Sequence, residues 1–154
     1  MVSAYGILKF LHVLSVIVWV GGVTSLSVVT WRVRRERNRE ILASLLRYAT
    51  SYGQTIVGPA SLIVLLTGLP MVGTGHIGFS TLWVVWGFGG ILLHFLIGAF
   101  VLRKRTFELA QLASTSAGDE VALLAAARRL WVTQLIYLAV LASVVGAMVL
   151  KPTL

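Results

Sequence analysis

The chain has 154 residues, of which 58% are hydrophobic and only 12% charged. A soluble domain is usually about 25% charged, so an ordinary water-soluble fold is excluded, and the mean hydropathy of +0.92 agrees. The net charge of +8 rests on 13 Lys and Arg, and cysteine is absent, which excludes disulfides, zinc–thiolate sites and iron–sulfur clusters.

Four apolar runs follow one another, each reaching the ~20 residues that cross a ~30 Å hydrocarbon core. The first, about 5–31, is broken only by Lys9 and His12. Its apolar core exceeds the roughly 7–15 residues of a signal peptide and no basic stretch precedes it, so it reads as a retained helix. The second, about 49–72, contains Pro59, whose missing N–H frees a carbonyl and predicts a kink. Gly68 and Pro70 near its end look like a terminator. The third, about 81–102, contains His94, and the fourth, about 130–150, has no ionisable group except Tyr137. Nothing alternates with period two, and each run is twice the length of a barrel strand. In hydrocarbon every backbone amide must be paired within its own segment, so the runs are helices. The expected fold is all-α, an integral membrane four-helix bundle in a single domain, 1–154.

Charge sets the expected direction. Arg32, Arg34, Arg35, Arg37, Arg39 and Arg47 lie between the first and second runs. Arg103, Lys104, Arg105, Arg128 and Arg129 lie between the third and fourth, which brings eleven of the 13 basic residues to one face. The opposite loop, 71–81, carries no charge unless His76 is protonated. By the positive-inside rule the basic loops are cytoplasmic and both termini are outside, which suits a bacterial or archaeal cytoplasmic membrane. Trp83 and Trp86 suit the outer interface, and Trp31 and Trp131 the inner one. The basic loops point to the lipid bilayer and its anionic lipids as partner. They do not point to nucleic acid, since they are short, separate and without a recognition motif. Residues 36–47 carry Ile41, Leu42, Leu45 and Leu46 on one side and Arg37, Glu40 and Arg47 on another. Residues 107–127 are similar, interrupted by Ser114-Thr115-Ser116-Ala117-Gly118. Both read as solvated helix ends, with interfacial helices as the alternative.

Chemistry within the spans is limited to few residues. No Asp or Glu lies in any span, which argues against a proton pump or cation transporter. His12 and His94 remain. His12, Ser15, Trp19, Gly22 and Ser25 follow helical steps of three or four, as do Gly87, Gly90, His94 and Gly98. Small residues let helices approach closely, and they also leave room for a flat macrocycle. Two readings therefore stand: structural histidines on packing stripes, or axial ligands of a b-type haem. His12 lies about seven residues below the start of its span, roughly 10 Å, and His94 about thirteen below its own, roughly 20 Å. That offset puts a shared iron in question and brings in Met148 or Met71 as another ligand. Lys9 and Lys151 lie at the outer level, as partners for haem propionates or as ordinary snorkelling lysines. Gln134 and Tyr137 read as interhelical hydrogen-bonding groups.

Leu11-His12 followed by Trp19 and Gly22 resembles the first helix of the HemJ-type protoporphyrinogen oxidases and the related copper-resistance-D-like membrane domains. Ile56, Pro59, Ala60 and Gly68-Leu69 resemble their second helix. His94 with Gly98 and Arg103 resembles the third, and Lys151-Pro152 the C-terminal end. The similarity runs in order over nearly the whole chain, and a group of bacterial membrane proteins of unknown function shares it. The resemblance implies a four-helix membrane protein binding haem b, with His12 and His94 as the matching histidines. In HemJ-type members it further implies oxidation of protoporphyrinogen IX. The chain departs from that group at Leu82-Trp83-Val84-Val85-Trp86-Gly87, where no lysine precedes the third-helix histidine. It departs again in the fourth helix, which has Gln134 and Tyr137 in place of an Asn-Glu-type element.

The expected function is haem b binding with electron transfer or redox chemistry in the membrane. His12 and His94 would ligate the iron, with Trp19, Gly22, Gly90, Gly98, Lys9 and Lys151 around the cofactor. A non-enzymatic scaffold or accessory subunit of a larger membrane complex, a homo-oligomer included, is the alternative. A HemJ-like oxidase is the third reading.

Overall fold

The structure is a computed structural model that describes residues 3–36, 38–114 and 120–152. Arg37 and most of the Ser114–Gly118 break therefore lie outside the described residues.

Helix α1 spans Ala4–Arg35. Its start is capped by Ser3, whose hydroxyl accepts from the Gly6 N–H at 3.1 Å, satisfying one of the orphan donors of the first turn. Helix α2 spans Arg39–Thr74 and opens on Asn38, whose Oδ1 accepts from the N–H groups of Glu40 and Ile41. Helix α3 spans Leu82–Ser114 and α4 Glu120–Leu150. All four are long and apolar enough to cross a membrane, and no strand occurs among the described residues. The bundle wears its apolar side chains outward: Phe10, Phe95 and Phe100 are each more than 60% exposed. In water such a surface would drive aggregation; in lipid it is the solvated state.

Around the bundle the order is α2, α1, α4, α3. Helix α1 packs along both α2 and α4, α3 packs along α4, and α2 meets α3 chiefly at the two ends. The middle is filled by Trp19, 1% exposed, packed with Val23, Val57, Val64, Ile91 and Leu141. A second core lies at the arginine-rich end, built on Val33, Leu42, Leu46, Leu109, Leu123 and Leu130.

That second core explains why three helices run past the expected ends of their spans. Beyond Arg47, Arg103 and Arg128 the chain turns polar, yet it stays helical for roughly three more turns. Leu42 and Leu46, four residues apart, share a face, as do Leu109 and Ala113 and, on α4, Leu123 and Ala127. Arg39 ties the extension together by donating from Nη1 to the Leu112 carbonyl at 3.3 Å. The amphipathic segments are thus continuations of the spans and not helices lying along the interface. At the base of this extension Arg34 stacks over Trp131 at 4.3 Å and Arg35 over Trp31 at 4.4 Å. Arg105 donates from Nη1 to the Arg129 carbonyl and to the Thr133 hydroxyl.

Pro59 acts as a widening of α2. Gly53–Val57 form a π-helical turn, in which the Gly58 N–H reaches back to the Gly53 carbonyl. The looser turn is one way to relieve the collision between a proline ring and the carbonyl four residues earlier. Pro70, expected to end α2, is followed by one more turn to Thr74, whose hydroxyl donates to the Pro70 carbonyl at 2.7 Å. A proline's missing N–H affects the turn before it and leaves the turn after it free to continue.

Candidate functional site

The expected site residues do not converge on one place in the bundle. His12 belongs to the α1–α2 seam. Its Nδ1 lies 3.0 Å from Thr67 Oγ1, and its Cε1 lies over Gly68, 3.3 Å from where a Cβ would stand. Thr67 has one hydroxyl hydrogen, and the nearest carbonyl, that of Ile63, is 2.7 Å away. Such back-bonding within a helix is the usual state of an intramembrane threonine. The hydroxyl then accepts from the histidine, so the proton sits on Nδ1 and Nε2 keeps its lone pair. The ring's other polar partner is the Val64 backbone carbonyl, one turn before Gly68 on α2.

His94 sits in the middle of the bundle and is 2% exposed. Its Nε2 accepts from the Trp19 indole N–H at 3.1 Å, which makes the imidazole neutral with its proton on Nδ1. Trp19 meets it edge-on, with ring centroids 4.8 Å apart. Tyr137 stacks on it with centroids 3.5 Å apart. Nδ1 has no hydrogen-bond partner among the described residues. Trp19 lies seven residues after His12 on the same helix, so the two histidines differ in depth by about 10 Å. That separation matches the offset expected from their positions in the spans.

Of the remaining residues, Gly22 lies in the α1–α2 seam, Gly87, Gly90 and Gly98 lie along the α3–α4 seam, and the lysines lie near the terminal ends. A Cβ on Gly90 would run into Val144, and one on Gly87 into the end of Met148. At Gly98 it would lie 3.1 Å from the Tyr137 hydroxyl oxygen, and at Gly22 only 2.9 Å from Val57. Each glycine groove thus receives a side chain from the neighbouring helix. Met148 faces Gly87, away from His12, whereas Met71 lies one turn beyond Thr67 on α2. Lys151 leaves α4 and reaches over Trp83, with Nζ 5.5 Å from the ring centroid. Lys9 is exposed, one turn from His12 on α1. Gln134, 3% exposed, donates to the Ser27 hydroxyl at 3.3 Å and tethers α4 to α1.

As a ligand set for a haem iron the two histidines differ. His12 can take the tautomer that ligation requires: with its Nδ1–H held by Thr67, Nε2 would carry the lone pair. His94 has neither nitrogen free, since Trp19 takes the lone pair of Nε2 and Nδ1 carries the proton. The residues therefore fit ligation by His12. They do not fit ligation by His94 while the indole stays in place. Thr67 is the site residue that sequence reasoning missed. Its signal was available: Thr67 precedes Gly68, and a threonine followed by glycine on a close helix seam can receive an imidazole. No group of three or more His, Asp or Glu that would hold a separate metal ion occurs among the described residues.

A search of curated proteins found no match, and neither did a search of solved structures. A family model described as "predicted integral membrane protein (DUF2269)" matches residues 6–152, almost the whole chain. The protein belongs to this family of integral membrane proteins.

Proposed function

We propose that the protein binds a b-type haem through His12 and serves redox chemistry or electron transfer in a bacterial or archaeal cytoplasmic membrane. The observation that carries this reading is the His12–Thr67 hydrogen bond: with the Thr67 hydroxyl turned to the Ile63 carbonyl, it favours the proton on Nδ1, so that Nε2 would be the donor atom for iron. Such a bond also raises the basicity of the ligating nitrogen. Thr67 is therefore a positioning residue, and Gly68 provides the flat surface on which the ring rests. Met71, one turn beyond Thr67 on α2, and Lys9, one turn before His12 on α1, would be the residues to offer a second ligand and a propionate partner. Bound haem would supply reversible one-electron transfer between ferric and ferrous iron. In this reading the arginine-rich extension faces the cytoplasm and both termini face outward.

The test is the absorption spectrum of protein purified after haem-replete expression. A Soret band is expected, lost in His12→Ala, shifted in Thr67→Val and unchanged in His76→Ala. Absence of the band in the wild-type protein overturns the proposal.

A second reading is favoured by the filled glycine grooves. With Gly90 occupied by Val144, Gly87 by Met148 and His94 by Trp19, the interior has the interlocked packing of a scaffold or accessory subunit. A cofactor-free preparation that co-purifies in fixed ratio with a larger membrane complex is the result this reading expects.

A further inference from the structure

We propose that the face of α2 around Gln54 is the interface of a homodimer, built on reciprocal hydrogen bonds from the Gln54 amide. Gln54 lies seven residues beyond Arg47 on α2, roughly 10 Å into the span. It is exposed on the bundle surface, and its side chain makes no hydrogen bond among the described residues. An amide left unpaired in hydrocarbon is costly.

A second unpaired group lies at the same residue. In the π-helical turn the Gly58 N–H goes to the Gly53 carbonyl. The next pairing in that register would join the Gln54 carbonyl to the N–H of Pro59, which proline lacks. Freed carbonyls of this kind in spanning helices are ordinarily taken up by a neighbouring helix or a nearby hydroxyl. The nearby hydroxyls are already committed: Thr55 donates to the Ser51 carbonyl at 2.9 Å and Ser61 to the Gly58 carbonyl at 2.7 Å.

Gln54 thus carries both a donor amide and a spare backbone acceptor, and the residues flanking it on this exposed stretch are small: Ser51, Thr55 and Gly58. A purely apolar partner helix would leave both groups unmet. A second copy related by a two-fold axis meets both at once, the amide of each Gln54 donating to the carbonyl of the other. Two-fold symmetry requires this self-complementarity, and small residues permit the close backbone approach.

The native chain has no cysteine, so single-cysteine variants give an uncluttered readout. In native membranes treated with a mild oxidant, Ser51→Cys is expected to form a covalent dimer. Leu92→Cys, on the lipid-facing side of α3 at 60% exposure, is expected to stay monomeric. In phosphatidylcholine–phosphatidylglycerol vesicles, single-molecule photobleaching should count two copies per particle at high protein-to-lipid ratio. Gln54→Leu should weaken that association roughly tenfold. The proposal is overturned if the purified protein is monomeric at every ratio, as it would be were the partner a different membrane protein. It is equally overturned if Leu92→Cys cross-links as readily, or if Gln54→Leu leaves the association unchanged.

Discussion

At the scale of single residues, the glycines of α3 separate two effects that composition merges. Gly89 and Gly90 are neighbours, yet a Cβ on Gly89 meets nothing within 4 Å, whereas on Gly90 it collides with Val144. Gly90→Ala must push α3 from α4 or force Val144 off its rotamer, an overpacking cost of about 1–3 kcal/mol. Gly89→Ala removes backbone freedom without a clash and should change stability by less than about 1 kcal/mol in the stabilising direction. Thermal unfolding of the two variants in one detergent checks the contrast. The same logic applies to Trp19, whose indole N–H is the only hydrogen-bond partner of the buried His94 among the described residues. Trp19→Phe strands a second nitrogen of that ring and should cost about 1–3 kcal/mol from this alone. It also releases Nε2, so a spectral change in a haem-loaded Trp19→Phe protein would report His94 becoming a competing ligand.

At the scale of elements, the four helices were legible because their apolar runs are long and nearly uncharged. The basic-side segments were legible as helix ends, but they read as solvated, whereas they pack into a core of their own. Hydropathy falls at Arg47, Arg103 and Arg128, but the helices continue since Leu42, Leu46, Leu109 and Leu123 bury against one another there. This part of the bundle is stabilised as a soluble protein is. Leu109→Ala, at a position 0% exposed, is expected to cost about 2–5 kcal/mol. Phe107→Ala, two residues away and 62% exposed, should be close to neutral by the same unfolding measurement. The candidate site was legible in part for a related reason. Periodicity put His12, Ser15, Trp19, Gly22 and Ser25 on one stripe and Gly87, Gly90, His94 and Gly98 on another; these face inward except for Ser25, which is exposed. It could not show which neighbour each stripe meets. The sharing of Nε2 between His94 and Trp19, and of Nδ1 between His12 and Thr67, depends on helix azimuth, which no one-helix pattern contains.

At the scale of the whole molecule, the helices are longer than the bilayer is thick, so something must fix their register in it. On α1 the distance from Lys9 to Arg32 is 23 residues, about 34 Å of helix, which matches a ~30 Å core with ordinary tilt. Arg34 on Trp131 and Arg35 on Trp31 mark the basic boundary, where aromatic and cationic side chains prefer to lie. This register leaves His12 one turn below the surface on the terminal side and His94 near the middle. It also puts the second core beyond the membrane on the arginine-rich side. Moving that end across the bilayer would carry Arg32, Arg34 and Arg35 and their partners on α3 and α4 through hydrocarbon, at about 2.5–3.5 kcal/mol for each arginine at the bilayer centre. Insertion should therefore be single-sided. A reporter enzyme active only outside the cytoplasm is expected to work when fused after Lys151 or inserted at Gly78, and to fail when inserted beside Arg39. Replacing Arg32, Arg34 and Arg35 together by glutamine weakens one of the two basic clusters and leaves Arg103, Lys104, Arg105, Arg128 and Arg129 in place. The expected result is a partly mixed orientation rather than a complete reversal, read as activity appearing at the Arg39 position. Full activity at Arg39 in the wild-type chain would show that the positive-inside assignment is inverted.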